Sequence, residues 1–181
     1  MPRSLVPVVV PVRYADSPVA EEVRLEVVAE TANEAIETAQ LLVEHWLRVS
    51  RSERPGAAGF GQALADIGDV PGAHAYVFAP QGLEVLQLPS RFDSENGERL
   101  GEAFAALDEH AIAGVVLDCS ALTYINTVGL TGIAAHLKRL RIHLISVPPA
   151  IARVFDIVGM TTFLNVHVTL REALEAIPDR S

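Results

Sequence analysis

A chain of 181 residues, half of them apolar, can bury a substantial core as one domain or as a domain with a sizeable extension. A formal net charge of −9, with no basic run interleaved with aromatics, excludes nucleic-acid binding by phosphate neutralisation. The longest uncharged N-terminal run, Ser4 to Val12, is broken by Pro7 and Pro11 and is too short to span a membrane or to serve as a signal peptide.

In chain order, Val6 to Tyr14 is β-branched with two prolines, which predicts an edge strand or an extended arm. Glu22 to Val28 alternates charged and apolar residues, the period of a half-exposed strand. Thr31 with Glu34 three positions on is a capping-box pair opening a helix. Its stripe runs through Ala35, Ile36, Ala39, Leu42, Val43, Trp46 and Leu47, with Trp46 as a core anchor. Two strands and one helix cannot bury both of their faces. This β-β-α extension (residues 1–52) therefore docks on the rest of the chain or on a second copy of itself.

Residues 53–72 are rich in Gly, Pro and Ala and read as a linker, with one helical turn near Ala63 to Ile67. Beyond it the pattern predicts strands at Ala75–Ala79 and Leu83–Leu88 and a helix at Ser94–Leu107. A strand follows at Val115–Asp118, then a helix at Val128–Leu140 and a strand at Ile142–Val147. A helix at Ala150–Val158, a strand at Val166–Val168 and a helix at Leu170–Ala176 complete the series, leaving a short tail (residues 178–181). Such alternation predicts an α/β fold with a mixed, mostly parallel sheet under helical cover in residues 73–177. At the junction of Val115–Asp118 with the next helix, Asn126 or Thr127 is the natural N-cap.

The order Asp118-Cys119-Ser120, then Tyr124-Ile125-Asn126-Thr127-Val128-Gly129-Leu130, resembles the signature of the STAS family. That family includes anti-sigma-factor antagonists and the cytoplasmic tails of sulphate transporters. Gly82 to Leu88, the helix start Phe92-Asp93, and Pro148 to Met160 are similar to its flanking elements. The resemblance implies a non-enzymatic regulatory protein–protein interaction module with no cofactor of its own, any ATP belonging to a partner kinase. It implies Thr127 as the acceptor for an anti-sigma-factor-like serine/threonine kinase, and Asn126, Thr127, Val128, Gly129 and Leu130 as the partner-binding surface. Other STAS proteins are further partners. Asp118, Ser120 and Asp93 become loop-ordering residues, alongside their plain reading as turn and cap residues.

A second reading, an unphosphorylated scaffold or structural subunit of a signalling or transporter-associated complex with a homodimer through residues 1–52, draws on the distinctive N-terminal segment and on Asn126; the chain departs from the family pattern at three places. Asn126 stands where the family has Asp, and Val128 replaces a small hydroxyl residue. The helix after Leu130 joins Ile142 directly through Lys138-Arg139-Leu140-Arg141, several residues early, so the helix must end sooner or the strand start late.

Enzyme chemistry leaves no trace. Ser120 lacks the Gly-x-Ser-x-Gly setting of a nucleophile. The six histidines lack metal-ligand spacing. Gly59-Phe60-Gly61 fails the dinucleotide fingerprint, and Gly68 to Gly72 lacks the Lys of a phosphate loop. The one cysteine, Cys119, excludes an internal disulfide framework, reads as a small buried hydrophobe and suits a reducing cytoplasm.

Overall fold

The computed structural model describes residues 4–14, 18–50, 62–66, 74–79, 82–87, 90–105 and 114–177. Its elements are β1 (Ser4–Val12), β2 (Glu21–Ala29), α1 (Ala32–Ser50), β3 (Gln62–Asp66), β4 (His74–Ala79) and β5 (Gly82–Gln87). They continue with β6 (Arg91–Phe92), α2 (Ser94–Ala105), β7 (Gly114–Asp118), β8 (Tyr124–Ile125) and α3 (Thr127–Ala134). β9 (Ile142–Ile145), α4 (Pro149–Ile157), β10 (Asn165–His167) and α5 (Leu170–Ala176) complete them. The remaining linker residues, Leu88, the end of the α2 helix and the tail fall outside the described residues, as does the side chain of Trp46.

Six strands form the main sheet in the order β10-β9-β7-β4-β5-β3. β10, β9 and β7 pair in parallel, as do β3 and β5, while β4 runs against both of its neighbours. The fold is therefore the mixed, mostly parallel α/β sheet that the sequence predicts. Strand β3 corrects the helical turn expected near Ala63. A five-residue stretch whose backbone pairs along β5 gains ladder hydrogen bonds that a lone turn of helix would lack.

Two cores flank the sheet. Along β7, Val115 and Leu117 point to one face and Val116 to the other, the two-residue period of a strand buried on both sides. The first core joins Val115, Leu117, Ile142 and Leu144 to Leu100 and Phe104 of α2, Leu130 and Ile133 of α3, and Ile151 and Phe155 of α4. The second joins Val116 and Ile145 to Ala173 and Leu174 of α5 and to the whole inner face of β1, β2 and α1. Of the two docking partners open to the N-terminal extension, the sheet of the same chain is the one it covers.

That extension is built as its pattern predicts. β1 and β2 pair antiparallel from Ser4↔Ala29 to Val12↔Glu21, with Val8, Val10, Val23 and Leu25 facing inward. Pro7 and Pro11, four apart, lie at the same parity with their side chains on the exposed face. Thr31 Oγ1 accepts from the Glu34 N–H at 3.2 Å, and Glu34 reaches back to the Glu30 N–H at 2.9 Å.

The alternative left open after Leu130 resolves in favour of an early helix end. α3 stops at Ala134 instead of Leu140, and the chain tightens into turns with His136 N–H on Ile133 O and Leu137 N–H on Ala134 O. These i to i−3 bonds shorten the path. They let Leu140 drop into the core just before β9 begins at Ile142, with no intervening loop. β9 then ends at Ile145 because Ser146 sits at φ 54°, a left-handed conformation no strand continues through. β10 lies one residue earlier than expected, at Asn165–His167.

On β9 and β10, His143 Nδ1 and His167 Nε2 meet at 2.9 Å with the rings stacked. Burial, then the positive charges available on His167 and Arg141, push the His143 imidazole down from 6.5 to about 4. The unfolded chain therefore takes up this proton first as pH falls. Stability is full above the unfolded value and declines as pH drops from 6.5 towards 4, by on the order of 1–2 kcal/mol once partial solvent screening is allowed for. Urea denaturation across that range should show the decline, and His143→Gln should flatten it.

Candidate functional site

The loop and helix start at the carboxyl ends of the parallel strands are assembled from β7 outward. Asp118, buried at the end of β7, accepts from the Ser120 N–H at 2.9 Å, an Asx turn that reverses the chain out of the sheet. The Cys119 N–H donates to Ile145 O at 3.0 Å and ties this turn to β9. The Cys119 thiol is buried, and burial, reinforced by the charge of Asp118, raises its pKa strongly; the reactive thiolate is suppressed.

Next the chain runs alongside the segment that precedes α2. Thr123 N–H and Oγ1 both donate to Ser90 O, at 2.7 and 3.1 Å. β8 then pairs in parallel with β6, Arg91 beside Tyr124 and Phe92 beside Ile125. The Asn126 N–H closes the run on Phe92 O at 3.2 Å. Ile125 is buried, so the strand period turns Tyr124 outward, 38% exposed, with the Arg91 guanidinium 4.0 Å above its ring.

α3 follows at once. Asn126 is its N-cap, in extended backbone, with Oδ1 accepting from the Gly129 N–H at 2.8 Å. Between the two candidates for the cap, Asn126 takes it and Thr127 becomes the first helical residue. Thr127 is exposed, and its carbonyl accepts from Thr131 Oγ1 at 2.8 Å. Val128 is 53% exposed, whereas Gly129 and Leu130 are buried. The expected surface thus divides: Thr127 and Val128 face solvent, Asn126 caps, and Gly129 and Leu130 hold the helix against the protein.

Gly129 is required by close approach. A Cβ there would lie 2.6 Å from Phe92 O, and Gly97 and Gly132 carry the same tight contact between α2 and α3. Asp93 fixes the other side of that contact. Its Oδ1 accepts from the Asn96 N–H at 3.4 Å and from Asn96 Nδ2 at 3.2 Å, opening α2, while its carbonyl accepts from the Gly97 N–H at 2.9 Å. Asp93, Asp118 and Ser120 therefore sit in turn and cap geometry around the helix start.

Tyr124 and Arg91 belong to this surface and were not singled out from sequence. The outward turn of Tyr124 was legible from its buried neighbour Ile125. Its pairing with Arg91 was not, because it depends on a two-residue strand contact across 33 positions of chain.

Removing the cap has a defined cost. Asn126→Ala leaves the Gly129 N–H without its acceptor and should lower stability by about 1 kcal/mol, with Asn126→Asp within a few tenths of the parent. Urea midpoints of the three proteins check both values.

What this geometry offers is an exposed hydroxyl at the positive end of a helix, beside an exposed Val and Tyr. Among the described residues, no group of three or more His, Cys, Asp or Glu is placed to hold a metal ion, and no helix is long and apolar enough to cross a membrane. Residues 75–173 match the STAS domain family, and the chain belongs to it. STAS domains are generally non-enzymatic and act through contacts with other proteins, in regulatory or transporter-associated roles. No curated protein and no solved structure matches the chain significantly.

Proposed function

We propose that this protein is a cytoplasmic regulatory module, similar to an anti-sigma-factor antagonist, that docks on a serine/threonine kinase and is switched by phosphorylation at Thr127. The supporting observation is the placement of Thr127: exposed, first in α3, and directly after a satisfied Asn126 cap. A phosphoryl group adds about −1.5 to −2 charges, and a helix N-terminus accommodates them through its dipole and its free N–H groups. The same charge obstructs any partner that packs on Val128 and Tyr124. Folding continues and docking stops. Incubation with the cognate kinase and ATP, followed by mass-spectrometric mapping, tests this reading; phosphate on Thr127 supports it, and an unlabelled Thr127 with no kinase binding sinks it.

A second reading, an unphosphorylated scaffold, draws on Asn126 and Val128. Asn removes the carboxylate that the family places beside the acceptor, and Val128 adds apolar surface to the contact face. The outer side of β1, around Pro7, Val9 and Pro11, is open to a second copy of the chain, whereas the inner side is covered. Light scattering of the full chain and of Val9→Glu separates the readings, since a scaffold built through this extension loses mass on that substitution.

A further inference from the structure

The six histidines lack metal-ligand spacing along the chain, yet the sheet brings two of them together across 24 positions. β9 and β10 run parallel, with His143 beside Asn165 and Ile145 beside His167. Ile145 faces the core shared with α5, so the two-residue period of a strand puts His143, Asn165 and His167 on that same face. His143 Nδ1 and His167 Nε2 stand 2.9 Å apart. Neutral imidazoles placed this way share one proton, one ring donating and the other accepting. The same two nitrogens are also a pair of metal donors on a backbone that the β9–β10 ladder already holds in register.

Their spacing says which kind of ion they suit. Nitrogens about 2.0–2.1 Å from one ion lie about 2.9 Å apart when the ligands stand at right angles, and about 3.3 Å apart at a tetrahedral angle. The observed 2.9 Å is the right-angled value, that of the tetragonal ions nickel(II) and copper(II). A turn of each ring about its outer torsion, which is soft in histidine, aims both nitrogens at an ion off the line that joins them. Asn165 adds an oxygen: its Nδ2 donates to Ile142 O at 3.2 Å, and its Oδ1 takes no part in that bond. His143 and Asn165 also line a cavity of about 410 Å³, which has room for an ion with several waters. Two imidazoles and an amide oxygen are a donor set of the nitrogen and oxygen type that these ions take.

We propose that His143 Nδ1, His167 Nε2 and Asn165 Oδ1 form a site for a nickel(II) or copper(II) ion between β9 and β10, with water completing its coordination. The ring that donates the shared proton carries it on its other nitrogen instead, so the ion enters without net proton loss. The site shares no residue with the Thr127 surface, and its test does not involve a kinase. Chlorides of nickel, copper, zinc and magnesium are titrated into the full chain by calorimetry, and NMR line broadening by copper locates the ion. Copper should bind most tightly, nickel at least as tightly as zinc, and magnesium not at all. Broadening should centre on residues 142–145 and 165–168. Loss of an outer-shell partner of a metal costs about tenfold or more, so His167→Gln, which removes a ligand, should weaken nickel by at least about tenfold. Asn165→Ala, at an exposed position, should weaken it less, and Arg141→Gln should strengthen it, because Arg141 disfavours positive charge on His143. Amide spectra of the metal-free variants, unchanged elsewhere, verify the fold. Broadening centred away from β9 and β10, equal nickel affinity in the parent and both ligand variants, or zinc bound more tightly than nickel would overturn the site.

Discussion

Replacing Gly129 with alanine should cost about 3 kcal/mol and lower the melting temperature by about 6–12 °C. The added Cβ would lie 2.6 Å from Phe92 O, 2.9 Å from Phe92 Cδ1 and 3.1 Å from Asp93 O. Neither carbonyl can retreat freely. Phe92 O holds the Asn126 N–H and Asp93 O holds the Gly97 N–H, so moving either breaks a bond that positions the loop or opens α2. Shifting α3 instead disturbs its close contact with α2, where a Cβ added at Gly97 would lie 3.1 Å from Gly129 Cα and one added at Gly132 3.2 Å from Gly97 Cα. Gly159→Ala is the matched control: it sits at φ +70° with nothing within 4 Å, so only the backbone cost of about 1 kcal/mol applies. Thermal and urea denaturation of both variants decide the matter. Equal losses at the two positions would mean that the α2–α3 contact is softer than its distances imply.

The second large effect concerns binding. If the proposed switch operates, Thr127→Glu should reduce affinity for the proposed kinase partner by about a hundredfold or more while changing stability by less than about 0.5 kcal/mol. The carboxylate sits at the first position of α3, where negative charge is favoured, so the fold has no reason to object. A partner covering Val128 and Tyr124 must strip water from that carboxylate, and an unpaired buried charge is expensive. Thr127→Val keeps the branched shape without a phosphorylatable oxygen, and should bind like the parent and resist switching by ATP. Calorimetric titration of the three proteins against the kinase provides the reading. Full affinity in the Glu variant would remove the basis for a charge switch at this position.

Much of this architecture can be read from residue patterns where the determinants are local. Val115-Val116-Leu117 announces a strand buried on both faces, Thr31 with Glu34 marks where α1 starts, and Asn126 caps α3. Features that depend on distant partners cannot be read that way. β3 lies in a stretch rich in Gly, Pro and Ala, and only its pairing with β5 makes it a strand. β6 and β8 have two residues each and exist because Ser90 O and Phe92 O collect the N–H groups of Thr123, Tyr124 and Asn126. The direct join of Arg141 to Ile142 signals that something must yield, but not which side; the helix gives way because Leu140 has a place in the core. The candidate site divides along the same line. Thr127 and its cap follow from local rules, whereas Arg91 over Tyr124 and the tight fit at Gly129 come from elements far apart in the chain.

The layer made by β1, β2 and α1 rests on Ala173, Leu174 and Ile177, and Arg48 donates to Leu174 O across 126 positions. Residues that leave the ribosome early thus gain part of their cover from residues that leave late. Long-range closure of this kind slows folding, and it keeps the valines of the first hairpin bare while the rest of the chain is being made. A nascent chain halted before α5 would present an oily sheet to the cell, the sort of surface that chaperones hold and proteases clear.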